Sequence, residues 1–186
     1  MEQRFEIKID CDDESGLKLS EEWRQAGLVH RVDGPAIRVF DPKTGQLACQ
    51  QWFHFGTPHR DNGPACQVFD PKTGLLTEEY WYHHGTLHRE DGPAYVNIDE
   101  RTRVFRVEDW HFNGAAHREN GPAMISRNRN GFVKAEVWFY HGMLHRVGGP
   151  AVINRSPTRG TSKTEYYTYG VKHEGRHYAG VISPHP

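Results

Sequence analysis

The sequence predicts an all-β protein, a repeat array of antiparallel β-hairpins forming one elongated, twisted meander sheet. Three observations carry this. First, one octet is written five times: VHRVDGPA from residue 29, PHRDNGPA from 58, LHREDGPA from 87, AHRENGPA from 116 and LHRVGGPA from 144. Second, all five tryptophans fall in one column, Trp23, Trp52, Trp81, Trp110 and Trp138, continued by Tyr166 in an eroded sixth copy. Each stands four residues before a Gly (Gly27, Gly56, Gly85, Gly114, Gly142, Gly170) and seven before a His (His30, His59, His88, His117, His145, His173). Such self-similarity marks stacked structural units. Third, the segments between these columns are short apolar runs rich in β-formers, and none has a sustained helical period.

The elements follow in order. Residues 1–20 contain one alternating segment, RFEIKI, expected to be an N-terminal strand or cap. Residues 21–175 hold five and a half units, and 176–186 are a C-terminal tail. Within a unit, the residue before Gly-Pro-Ala is Asp33, Asn62, Asp91, Asn120 or Gly148. These residue types tolerate a left-handed backbone, so a turn is expected there. The Pro, lacking a donor, suits the first residue of the strand that follows. Those strands (AIRVF, ACQVF, AYVNI, AMI, AVI) run into DPKTG at 41 and 70, a Pro-initiated turn closed by Gly, with NRNG and SPTRG in the same part later. A longer strand such as LLTEEYWYH then returns to the next unit's Gly. Each unit is thus expected to be two antiparallel strands. Alternation along the longer strand puts Glu79, Trp81 and His83 on one face and Tyr80, Tyr82 and His84 on the other.

Only 36% of the 186 residues are apolar and the mean hydropathy is −0.79, which implies a thin core. No apolar run is long enough to span a bilayer as a helix. The start lacks the apolar region of a signal peptide. The three cysteines, Cys11, Cys49 and Cys66, lack the spacing of a zinc site or disulfide framework, so a reducing cytoplasm is expected. Charge is uneven. Residues 1–120 carry 14 basic against 21 acidic side chains, and 121–186 carry 9 against 3. Such asymmetry suits either an anionic partner or head-to-tail attraction between copies.

The string WYHHGTLHREDGPA, with its two-strand unit, resembles the MORN repeat, and specifically the divergent MORN-variant repeats of bacterial and viral proteins. The likeness covers about residues 21–175. The order of aromatic, Gly and second Gly is kept, in a longer unit into which His-Arg and Gly-Pro-Ala are inserted. The resemblance implies a non-enzymatic scaffold that binds proteins or associates with membranes.

The residues themselves offer several chemistries. Glu21, Gln50, Glu79, Glu108 and Glu136 stand two before each Trp. Ordinary cross-strand pairing of Glu with a neighbouring Arg accounts for them better than catalysis does, with Trp packing on its equivalents. Histidines of one column lie two strands apart, roughly 9–10 Å, too far to share an ion. Within a unit only His84 with His88 and His141 with His145 face across a turn, and neither pair recurs. The sequence therefore predicts a metal-free, cofactor-free chain. No Ser, Cys or Thr recurs beside the His column, which argues against an enzyme. The candidate binding residues are Arg146, His145, Arg118, His117, Arg89 and His88, with Trp138 and Trp110. Their Arg residues either stack on Trp as a brace or present guanidinium groups along one edge. Arg146 is the candidate for partner contact because its turn holds no acid, whereas Glu90 and Glu119 adjoin Arg89 and Arg118. A protein partner is expected to bind across the aromatic, Arg-rich sheet surface. The second class is an anionic ligand or nucleic acid, held by the basic C-terminal part and by exposed rings that stack bases.

Overall fold

The computed structural model describes residues 5–158 and 162–174; the last array residue and the 176–186 tail lie outside them. All regular structure in it is β. The chain opens with β1 (Phe5–Cys11), β2 (Lys18–Gln25) and β3 (Leu28–Val29). A set of four strands follows: β4 (Ile37–Phe40), β5 (Leu47–Gln51), β6 (Phe53–His54) and β7 (Thr57–Pro58). The set recurs as β8 (Cys66–Phe69), β9 (Leu76–Tyr80), β10 (Tyr82–His83) and β11 (Thr86–Leu87). It recurs again as β12 (Tyr95–Ile98), β13 (Phe105–Asp109), β14 (His111–Phe112) and β15 (Ala115–Ala116). The fourth set is β16 (Met124–Arg127), β17 (Val133–Val137), β18 (Phe139–Tyr140) and β19 (Met143–Leu144). β20 (Val152–Arg155), β21 (Ser162–Thr168) and β22 (Val171–His173) end the described chain.

The long strands pair antiparallel in the order β1-β2-β4-β5-β8-β9-β12-β13-β16-β17-β20-β21-β22, with β3 on β2. This is one open meander, not closed into a barrel. Each long strand meets chiefly its two sheet neighbours, so among the described residues the sheet is a single layer.

The unit has four strands rather than the expected two, and the tryptophan is the reason. The Trp81 N–H donates to Ala94 O at 2.7 Å, and its C=O accepts the His88 N–H at 3.0 Å. Its backbone is thereby withdrawn from the strand ladder, and the segment read as one strand breaks into β9 and β10. The chain then reverses within two residues. His84 (φ 46°) and Gly85 (φ 81°) are both left-handed, the signature of a type I′ hairpin turn. Ala26, Phe55, Asn113, His141 and Tyr169 take the same place before their glycines. The left-handed step thus sits at the tip of each short hairpin. It was expected before Gly-Pro-Ala, where of that column only Gly148 has a positive φ.

At the other end, DPKTG is a turn held by its Asp. Asp41 Oδ1 accepts the Lys43 and Thr44 amides at 3.1 and 2.8 Å, and Asp41 O accepts the Gly45 amide at 2.8 Å. Asp99 repeats this with Arg101 and Thr102, and Asn128 with Asn130 and Phe132.

The core is thin, as composition implied. Ala36, Ala65, Ala94, Ala123 and Ala151 are at most 1% exposed, whereas no large side chain is fully buried. The proline of Gly-Pro-Ala stays in the loop, two residues ahead of its strand, and uses its carbonyl rather than its missing donor.

Candidate functional site

The His-Arg column builds a feature that recurs in all five units. Each guanidinium lies over its own unit's indole. Ring-centroid distances are 4.1 Å for Arg31 on Trp23, 4.0 Å for Arg60 on Trp52, 3.9 Å for Arg89 on Trp81, 3.9 Å for Arg118 on Trp110 and 3.7 Å for Arg146 on Trp138. Each guanidinium also meets the Gly of Gly-Pro-Ala. A methyl group added to Gly92 would stand 2.6 Å from Arg89 Cζ, and one added to Gly63 2.9 Å from Arg60 Cζ. Arg Nη1 then donates to the proline carbonyl four residues on, at 3.3 Å for Pro35, 3.2 Å for Pro64, 3.5 Å for Pro93, 3.3 Å for Pro122 and 3.1 Å for Pro150. Trp, Arg, Gly and Pro of the repeated phrase are therefore one clamp. Cation–π contact of this kind contributes about 0.5–2 kcal/mol depending on desolvation.

The histidine does a different task. Its Nδ1 accepts the backbone N–H of the left-handed tip residue of the next unit: Phe55 on His30 (3.4 Å), His84 on His59 (3.2 Å), Asn113 on His88 (3.1 Å), His141 on His117 (3.2 Å) and Tyr169 on His145 (3.2 Å). Where the tip residue carries a ring, the two rings stack at 4.0–4.2 Å. The adjoining tip glycine donates to the residue before the histidine, as Gly85 does to Pro58 O at 2.9 Å. A non-Gly residue in this backbone region costs on the order of 1–3 kcal/mol unless its surroundings hold it. The preceding unit's histidine supplies that support. Burial in the stack pushes the His30, His117 and His145 rings below their ordinary pKa, and His59 too despite the opposing pull of Asp61. Neutral rings suit an acceptor at Nδ1.

Three members of the Glu column pair with Arg as expected, while Glu79 accepts from Gln67 instead. Glu21 binds Arg38 at 3.0 Å, Glu108 binds Arg127, and Glu136 binds Arg155. The tryptophans pack on their own arginines rather than on one another.

The candidate residues gather in shallow grooves between successive loops. Arg89, Trp110, His117 and Arg118 line one, Arg118, Trp138, His145 and Arg146 the next, and His88 lies with Trp81 and Arg89 in the groove before them. Arg146 is as deeply clamped as the rest. Asp91, at 2.9 Å from Arg89 Nε, is the local acid there rather than Glu90. Arg89→Ala and Arg146→Ala are therefore each expected to lower the melting temperature by several degrees, and by similar amounts. A thermal melt of the two variants side by side checks this; a neutral Arg146→Ala beside a destabilising Arg89→Ala would restore Arg146 as a free contact residue.

Two groupings escaped the sequence. His59 of the second unit meets His83 and His84 of the third, a join across units where spacing had considered only one column or one turn. Cys49 and Cys66 lie diagonally on adjacent strands with sulfurs 3.9 Å apart, and hydrogen bonding from Cys66 draws the Cys49 thiol down to about 7. Cross-strand register could have indicated the second; the first depends on how the short hairpins stack.

Compared with known proteins, the chain matches no family model, no curated protein and no solved structure.

Proposed function

We propose that this chain is a non-enzymatic, MORN-like repeat scaffold of the cytoplasm that binds a protein partner. The observation that supports it is the open face of the sheet. Cross-strand register lines up Ile37, Gln51, Cys66, Tyr80, Tyr95, Asp109, Met124, Val137 and Val152 as one row on that face. Met124 is exposed and the others are half-buried, and seven of the nine are apolar or aromatic. A largely apolar strip, broken at Gln51 and Asp109, on a single-layer sheet is the kind of surface that a partner covers. This shifts the proposed contact from the Arg edge to the sheet face, because the recurring Arg and His side chains are taken up by the clamps and stacks. No helix of the described chain is long and apolar enough to cross a membrane.

Much of the basic charge is paired. Arg106 and Arg129 reach Asp99 at 3.2 and 3.6 Å, Arg127 and Arg155 hold Glu108 and Glu136, and Lys172 lies 2.9 Å from Glu165. That leaves less for a phosphate backbone than the sequence suggested.

The test is capture from cell extract on the immobilised chain, with Met124→Lys alongside. Met124 is exposed and faces Asp109 across the strands, so Lys fits the fold while interrupting the apolar row. Capture of a protein is expected to fall at least tenfold in the variant with an unchanged melt. Capture that nuclease abolishes, and that weakens steeply with salt as phosphate contacts do, would replace the protein partner by a nucleic acid.

A further inference from the structure

The tips of the short hairpins differ from unit to unit, and only the third carries two adjacent histidines. His83 and His84 stand at that tip, exposed, over His59 of the preceding unit. One ring nitrogen from each of the three lies within 4.8 Å of the others. Asp61 Oδ1 is 3.1 Å from His59 Nε2. We propose that His59, His83 and His84, with Asp61 or water as fourth ligand, bind one divalent transition-metal ion of the zinc class, which pins the second unit to the third.

The donor set suits the ion. Imidazole and carboxylate are ordinary ligands of Zn(II), and of Co(II) and Ni(II) as its substitutes. Zinc–nitrogen bonds of about 2.0–2.1 Å place tetrahedral ligand atoms about 3.3–3.4 Å apart. The nitrogens must therefore close by up to about 1.5 Å. His59 is fixed, whereas His83 and His84 stand in solvent and can move. The ring planes of His59 and His83 already cross at 62°, so one ion can lie in both planes. His84 is different. It is stacked on His59 with only 12° between planes, and it must swing off the stack to bind.

The protons balance without outside help. In the metal-free chain His59 Nδ1 accepts the His84 amide, so the neutral ring carries its proton on Nε2, facing Asp61. Coordination through Nε2 sends that proton to solvent while Nδ1 takes one up. The His84 amide loses its acceptor and turns to water, a cost that the metal–ligand bonds must offset.

Among the described residues the other units lack the set. His117 meets only His141 and Tyr140, His145 only Tyr169 and Tyr140, and His30 only His54 and Phe55 among ring partners on the following hairpin.

The experiment titrates chelator-treated protein with Zn(II) against a chromophoric chelator, and with Co(II) followed by visible absorption. One equivalent per chain is expected, with a rise in melting temperature. His83→Ala and His84→Ala each weaken binding at least tenfold and stay folded, since both side chains are exposed. His59→Gln, which keeps an acceptor for the His84 amide, does the same. His141→Ala, which removes the analogous tip histidine of the fifth unit, stays within twofold of the parent. Absence of stoichiometric uptake by the parent at micromolar concentrations, or uptake that persists in the His83→Ala/His84→Ala double variant, overturns the proposal.

Discussion

Gly92→Val is expected to cost about 1–3 kcal/mol of stability, the usual range for forcing bulk into a packed site, while the surface change Lys72→Ala stays within about 0.5 kcal/mol. Turn chemistry suggests that Gly92 is needed for its backbone, but the structure gives another cause. Gly92 has no left-handed φ. Its hydrogen faces the Arg89 guanidinium, and a Cβ would sit 2.7 Å from Nε and 2.6 Å from Cζ. The valine must push the guanidinium off Trp81 and away from Pro93 O. The two causes are separable. If space is the issue, Gly92→Val should cost much less in an Arg89→Ala background, because the occupant has gone. Urea denaturation of the two single variants and the double gives the coupling directly. Additive losses would return the effect to the backbone. At Gly63 and Gly121, where φ is 148° and 145°, both causes act and the double variant should recover less.

Acidification from about pH 7 to pH 5 is expected to loosen the array before the turn carboxylates of Asp41, Asp70 and Asp99 titrate. The folded rings of His30, His59, His117 and His145 have depressed pKa values, first through burial. The unfolded chain therefore binds protons more readily than the folded one. Their contribution is complete above the unfolded value of about 6.5. It is lost progressively as pH falls through the depressed folded values. The carboxylates in the turns titrate lower. Asp99 is held at about 2, chiefly by the Thr102 amide, and Asp41 and Asp70 are lowered by hydrogen bonds from Thr44 and from the Lys72 amide. Protonation also converts Nδ1 from acceptor to donor, opposing the next unit's amide. The urea midpoint should drop between pH 7 and pH 5. A His117→Gln/His145→Gln variant, which keeps an acceptor oxygen and does not titrate, should show a shallower drop. Equal slopes in variant and parent would remove the histidines as the cause.

The array, its period, its all-β character and the open meander were legible in the sequence, because each depends on local spacing. A tryptophan every 28 or 29 residues, a Gly four residues later and runs of β-formers between turns leave little else for the chain to do. The Asp-Pro turns at residues 41 and 70 were legible for the same reason, since an Asp and a Gly four residues apart close their own loop. Roles that depend on what meets across units were not. Nothing in HHG says that His84 is left-handed, stacked on His59 and held by its Nδ1, because that partner is 25 residues away. The division of each unit into four strands was also hidden. The pattern EEYWYH reads as continuous alternation, and only the pairing of the Trp81 backbone with Ala94 and His88 interrupts it. The repeated phrase HR-x-x-GPA was visible from the start, but its meaning needed the third dimension. Arg is there because an indole lies beneath it, Gly because a guanidinium lies against it, and His because the next turn needs an acceptor.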